Sequence, residues 1–296
     1  MSNAPLPRRL PRFQPLDVLL LLALAVGGAY LAHRVRAVLD YHWNWGLIGE
    51  YLVRYDPQSA RWVPNLLLQG LFTTIRLSVW SMVLASVVGT VMGLWRVSAS
   101  LFKRLIGTSY VGIVRNLPPL VWVFLFYYFV SDQIMPLLGA DDLVRGLSSP
   151  YLNLLSIVLA PPAQMSAFVS AVITLGLYEG AYITEIVRAG VESIERGQWE
   201  ASYSIGLSWW QQMRHVILPQ ALQRILPPLA GQFISVIKDS AIVSVISISE
   251  LTFQGLQLMA STYITFEIWI TIGAMYGFLT LGCSLALAKL ERSMRH

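Results

Sequence analysis

From Leu66 to Trp95 the only charged side chain is Arg76, and the chain contains one such run after another. A helix crossing the hydrocarbon core of a bilayer needs about 20 mostly apolar residues, because it must cover about 30 Å at 1.5 Å per residue. Comparable runs cover Leu16 to Ala32, about Gly107 to Val130, Ser166 to Val187, about Leu229 to Ile248 and about Phe266 to Ala288. These lengths predict an all-α membrane protein of about six transmembrane helices, an even number that puts both termini on the same side.

Composition points the same way. The 296 residues are 55% hydrophobic and 12% charged, against about 25% charged for a soluble domain. A soluble core of this make-up leaves too few charged side chains to cover its surface. The net charge of +5 does not form a nucleic-acid patch, because the Lys and Arg residues sit beside the apolar runs. The single cysteine, Cys283, lies in an apolar stretch, so one chain builds neither a disulfide nor a thiolate metal site. His33, His42, His215 and His296 lack ligand spacing, and no metal site is expected.

Basic residues orient the spans, because short cytoplasmic loops accumulate Lys and Arg. Arg8, Arg9 and Arg12 precede the first span, and Arg96, Lys103 and Arg104 follow the second. Arg188, Arg196, Arg214 and Arg224 separate the fourth from the fifth, and Lys289, Arg292 and Arg295 follow the sixth. All four clusters fall on one side, which is assigned as cytoplasmic. The other side carries Arg34, Arg36, Arg54, Arg61 and Arg145, partly offset by Asp40, Glu50, Asp56, Asp141 and Asp142. The first span reads either as a signal peptide or as a membrane helix, and the lack of a small-residue cleavage site favours a retained helix.

Two domains are expected. Residues 1–65 hold a cytoplasmic tail, the first transmembrane helix and a periplasmic segment, and residues 66–296 form the transmembrane domain proper. The outward segment 33–64 is rich in Trp and Tyr, which suits either an interfacial anchor or a docking surface for an outside partner. The outward segment 131–165 holds a short apolar run, Tyr151 to Ala160, too short to cross and read as a partial or interfacial helix.

The loop at 197–222, between the fourth and fifth spans, is polar yet patterned. A helix from about Gln198 to Ile205 is expected to stop at Gly206, which takes the left-handed cap conformation without side-chain penalty. Ser208 with Gln211 three residues on forms a capping box that restarts a helix. Pro219 is read as ending that helix and opening the next. Helix, glycine and helix together make a rigid elbow suited to receiving force from another protein.

The order Glu200, Ala201, Ser202, Gly206, Ile217, Leu218, Pro219 resembles the EAA loop of ATP-binding-cassette import permeases, with Ser202 in place of the second Ala. Gly180, Ala181, Tyr182, Glu185, Ile186, Arg188, Ala189 and Gly190 before the loop are similar to the polar amino-acid permeases. So are Leu226, Pro227, Pro228, Gln232, Phe233, Ile234, Lys238, Asp239, Ser240 and Val243 after it. Upstream, Gly70, Thr73, Thr74, Leu77, Ser78, Arg115, Pro118 and Leu120 continue the likeness, which spans roughly Leu67 to Leu290. The resemblance implies a type I importer permease bundle with a cytoplasmic coupling helix, in the bacterial inner membrane. It implies a second permease subunit, ATPase subunits holding ATP and Mg, and a periplasmic amino-acid-binding protein. The chain has no G-x-x-x-x-G-K phosphate loop, so it is not expected to be the ATPase or to hold a cofactor of its own. A channel or secondary transporter is the alternative, and neither needs such an elbow.

Charges inside a membrane are costly and therefore candidates for function. Glu179 and Glu185 fall on the fourth span, Lys238 and Asp239 on the fifth. Glu185 and Lys238 suit a structural ion pair. Glu179 has two readings, a pathway carboxylate facing a substrate amine or a carboxylate turned into the bundle. Tyr182 and Gln232 offer neutral hydrogen-bonding groups, and Arg115 is a further pathway candidate.

Overall fold

The computed structural model describes residues 15–38, 41–58, 60–139 and 149–294. Arg8, Arg9, Arg12, Asp40, Asp141, Asp142, Arg145 and Arg295, which entered the charge-based orientation, lie outside the described residues. The chain divides into two compact units, residues 1–44 and 45–296. In the first, helix α1 (Pro15–Val38) carries the apolar stretch Pro15–Tyr30.

The second unit begins with α2 (Gly46–Leu52) and a hairpin that the sequence did not reveal, β1 (Val53–Asp56) antiparallel to β2 (Arg61–Pro64). Tyr55 and Trp62 pack edge to face across it, with ring centroids 5.7 Å apart. Asn65 closes this region at the entrance to the next helix, its amide N–H donating to Leu52 O at 2.8 Å and its side chain to Glu50 O at 2.6 Å.

Among the described residues, four helices or continuous helical runs are long and apolar enough to cross a membrane. They are α3 (Leu66–Arg96), the run Pro162–Glu192 containing α8 (Met165–Glu192), the run Trp209–Ile246, and Thr265–Lys289 within the last helix. The third expected span is corrected. It is not one helix from Gly107 to Val130 but α4 (Leu101–Asn116) and α5 (Pro119–Leu125), which meet at 111°. Leu117 and Pro118 both take extended ψ values, 139° each. A residue preceding proline is driven out of the helical region, and here two prolines follow in succession. Beyond α5 come a π-helical stretch (Phe126–Ser131), α6 (Asp132–Leu138) and α7 (Ser149–Val158). The last is the short helix expected near Tyr151. Arg76 Nη1 donates to Ser156 O at 2.5 Å and Trp80 Nε1 to Val158 O at 2.9 Å, satisfying carbonyls at the α7 C-terminus.

After α8 the elbow holds α9 (Arg196–Ser204) and α10 (Trp209–Gln212), followed by a π-helical stretch (Met213–Ile217) and α11 (Leu218–Asp239). Pro219 opens α11 in its first turn as expected but does not end the helix before it, and the helical run continues from Trp209 through to Ile246. Proline cannot donate to the carbonyl four residues back, and the wider turn immediately before it accommodates that gap. A 3₁₀ segment (Ser240–Ile246), α12 (Leu251–Thr262) and α13 (Thr265–Met294) complete the chain.

Helices α3 and α8 lie against each other over most of their length. A Cβ on Gly176 would meet Leu84, one on Gly89 would meet Ile183, and one on Gly93 would meet Val187. Both numbers of each pair rise together, so the two helices run parallel. The α4–α5 segment must therefore carry the chain back, and Tyr110 Oη and Trp122 Nε1 pin it to α8 by donating to Leu177 O and Thr174 O at 2.5 and 3.0 Å. Helix α11 is antiparallel to α8, with Ile225 against Gly190 and Gln232 against Glu179. Small residues are what let membrane helices approach this closely.

Gly89 tests that packing. Its added Cβ would lie 2.6 Å from Ile183 Cβ and 2.9 Å from Gly180 O, neither of which is the loose end of a side chain. Gly89→Val is expected to destabilise the protein by about 1–3 kcal/mol. Gly112→Ala, with open space around its Cβ, should be near neutral. Thermal unfolding of the detergent-solubilised protein distinguishes the two.

Candidate functional site

The elbow is built by local chain chemistry. Gly206 has φ +80°, its N–H donating to Tyr203 O at 2.9 Å while Leu207 N–H reaches Ser202 O at 3.3 Å. That pair of bonds closes the end of α9 as a Schellman cap. Ser208 and Gln211 form the expected capping box at α10, the Ser208 N–H donating to Gln211 Oε1 at 2.8 Å. Gln212 Nε2 returns to Leu207 O at 2.8 Å, so the corner between α9 and α10 is closed from both sides.

Its two faces differ. Ser202, Met213 and Ile217 are buried, and Trp199 packs against the cluster of Ile183, Val187, Ile194 and Ile225. The opposite face leaves Tyr203, Ile205, Trp209 and Trp210 exposed, Ile205 at 74% and Tyr203 at 76%. Glu200, Ala201 and Gly206 are also exposed. A polar loop that holds four large apolar side chains out of its own core offers a face to another surface.

Glu185 sits near the elbow end of α8 and corrects the expected ion pair. Its partners are three arginines and not Lys238. Arg96 of α3 bonds its Oε1, Arg188 Nε lies 2.8 Å from its Oε2, and Arg115 of α4 approaches to 3.8 Å. Arg188 is shared with Glu192 one turn on. Lys238 is exposed and makes no ion pair among the described residues. The pairing follows from the parallel packing of α3 and α8, which brings Arg96 and Arg188 to the same end of the bundle.

The remaining pathway candidates make two sets of contacts around α8. Arg115 stacks over the Tyr182 ring at 5.1 Å, and the Tyr182 hydroxyl lies 2.9 Å from that of Tyr178. Glu179 is turned towards α11 and has no exposed surface. Gln232 Nε2 donates to its Oε2 at 2.5 Å, and the Asp239 carboxyl lies within electrostatic reach. A separate cavity of about 520 Å³, lined by polar groups including Gln69, Thr73, Arg76, Gln164 and Gln254, opens beside α7.

Two buried carboxyls, Glu250 and Glu267, escaped the sequence reading. Glu250 has no exposed surface and caps α12, accepting the N–H groups of Thr252 and Phe253 at 2.9 and 2.7 Å and the Tyr276 hydroxyl at 2.8 Å. Thr74 of α3 lies 3.4 Å away and accepts the Leu251 N–H, so one carboxylate joins α3, α12 and α13. An acid directly before an apolar helical run was the available signal.

Residues 85–296 match the family described as binding-protein-dependent transport system inner membrane component. The glutamine transport system permease protein GlnP of Escherichia coli (strain K12) is 34% identical over 239 residues, covering 80% of this chain and 97% of that protein. The glutamate/aspartate import permease protein GltJ of the same strain is 28% identical, covering 87% and 97%. The crystal structure of an amino acid ABC transporter with histidines superposes with a TM-score of 0.64 at 30% identity, covering 86% of this chain and all of that one. An inward-facing structure of the MetNI methionine ABC transporter shares the fold, with a TM-score of 0.58 at 19% identity, covering 77% and 95%.

Glu185→Gln leaves three guanidinium groups facing a neutral amide. Because these side chains are between 16% and 43% exposed, solvent screens the loss, and destabilisation by about 1 kcal/mol is expected. Arg115→Gln, which removes the longest of the three contacts, should cost less. Melting temperatures at low and high salt check both, with the Glu185→Gln effect shrinking as salt rises.

Proposed function

The chain belongs to the inner membrane components of binding-protein-dependent transport systems, and on that premise we propose that it is the permease subunit of an amino-acid importer. Glutamine and glutamate/aspartate permeases stand among its relatives, and their names support amino acids as the cargo. Substrate would arrive on a periplasmic binding protein and cross between two permease subunits, while ATP and Mg are held by separate ATPase subunits. We place both termini on the cytoplasmic side of the inner membrane. The six-span count and the basic clusters of the sequence support that placement, and Arg96, Arg188, Arg196 and Arg224 gather at one end of the second unit. A channel or secondary transporter has no use for the elbow, and the family match favours neither.

The observation that carries the coupling role is the elbow's exposed apolar face on a doubly capped corner. Force applied there reaches the membrane by two routes. One is α8, joined through Ser193 to Glu195, and the other is the unbroken helical run Trp209–Ile246. Rigid-body displacement of the elbow would thus rock α8 and α11 together, opening the pathway alternately to either side. Glu200, Ala201, Ser202, Gly206, Leu218 and Pro219 are assigned to this coupling, and Glu179, Tyr182, Glu185, Gln232, Lys238, Asp239 and Arg115 remain the pathway candidates.

Glu200→Lys reverses a charge on the exposed face without touching the core. Coupling between linked sites typically corresponds to about 5- to 150-fold in equilibrium terms, and uptake by the reconstituted importer is expected to fall within that range while ATP hydrolysis persists. Wild-type uptake in this variant refutes the assignment.

Glu179→Gln keeps the side-chain volume and removes the charge. A carboxylate in the membrane costs on the order of 3 kcal/mol, and pairing with a substrate ammonium offsets that cost. The variant is expected to change the ratio of cationic to neutral amino-acid uptake by at least about fivefold, with unchanged expression. An unchanged ratio assigns Glu179 to bundle packing with Gln232.

A further inference from the structure

A second cleft, of about 370 Å³, opens between the turn joining α3 to α4 and the start of the elbow. Arg96, Ser98, Arg104, Glu192, Arg196 and Trp199 line it. Two of its charges are already committed, Arg96 to Glu185 and Glu192 to Arg188. Arg104 and Arg196 are left, both exposed and neither in an ion pair among the described residues. They come from elements far apart in sequence, yet the fold brings them to one cleft. Two guanidinium groups lining one cleft raise its positive potential, and the planar fork of Arg matches the oxygens of phosphate.

We propose that this cleft binds the phosphate of an anionic phospholipid, bridging α4 and the elbow. The surroundings select a lipid over a free ion. Beside Arg104, helix α4 exposes Leu101, Phe102 and Leu105, at 61%, 72% and 55%, interleaved with Lys103. Apolar side chains that insert among acyl chains, next to basic ones at headgroup level, are the pattern of a membrane interface. Trp199 lines the cleft with an indole, a side chain favoured at the same depth. Basic pockets between membrane helices on the cytoplasmic side take such headgroups. A bound headgroup ties the first turn of α9 to the α3–α4 turn, so the membrane itself helps to hold the elbow. This assignment rests on the membrane location and orientation proposed above, not on the identity of the cargo.

The test is native mass spectrometry of the permease purified with its ATPase subunits and titrated with phosphatidylglycerol or phosphatidylcholine. The wild type is expected to retain phosphatidylglycerol selectively. Arg104→Gln or Arg196→Gln should lower that retention about fivefold each and about thirtyfold together, given the usual strength of one basic residue at an anionic surface. Arg104→Lys with Arg196→Lys keeps both charges but not the planar fork, and should retain more phosphatidylglycerol than the double glutamine variant and less than the wild type. Equal retention of the two lipids, or undiminished phosphatidylglycerol on the double glutamine variant, overturns the proposal. Displacement by an equal concentration of inorganic phosphate assigns the cleft to a free anion and overturns the lipid. Failure of amino-acid uptake would count against the cargo alone and leave the lipid measurement intact.

Discussion

Everything else in the bundle depends on the approach of α3 to α8. Leu84 fills the space at Gly176, Ile183 that at Gly89 and Val187 that at Gly93. Between apolar helices in lipid there is no hydrophobic gain from association, so close van der Waals contact has to supply the attraction. Because the contact is parallel, it fixes the rest of the topology. The α4–α5 segment has to return the chain, α11 has to run the other way, and the basic ends of α3 and α8 have to meet. Glu185 lies where they meet and offsets part of their charge.

The same approach explains how the polar groups divide. Ser, Thr and Tyr side chains in the bundle mostly bond to backbone carbonyls one turn away or on a facing helix, as Thr174, Thr184 and Tyr110 do. Ionised groups cannot be satisfied so cheaply. Glu179 and Glu250 instead sit where a second element supplies donors. Glu179 draws on Gln232 of α11, and Glu250 on its own helix N-terminus and Tyr276 of α13. These carboxyls therefore mark the contacts between helices as much as they mark a pathway.

Features set by neighbouring residues were legible in the sequence. The Gly206 cap and the Ser208–Gln211 box were read correctly, because a cap depends on a handful of adjacent residues. The break at Leu117–Pro118–Pro119 was equally local, but reading the apolar stretch by its length merged both halves into one span. The partner of Glu185 was not legible. Arg96 stands 89 positions away, and only the parallel packing of two helices brings it close, whereas Lys238 merely looked complementary in charge. Glu250 was passed over because one acid between two apolar stretches resembles a loop residue until α12 is seen to start there. The hairpin of Val53–Asp56 and Arg61–Pro64 is too short for its alternation to stand out from an aromatic-rich segment.

The π-helical stretch Met213–Ile217 has a consequence for chain length. An α-helix turns about 100° per residue, and a π-turn carries one residue more than an α-turn before the same face returns. The stretch therefore acts as an angular spacer. It sets the direction in which Trp209 and Trp210 point relative to the faces of α11 that hold Ile225 and Gln232. Adding or deleting a residue between Met213 and Pro219 would swing the indoles around the helix axis relative to α11. In this part of the protein the number of residues carries as much information as their identity.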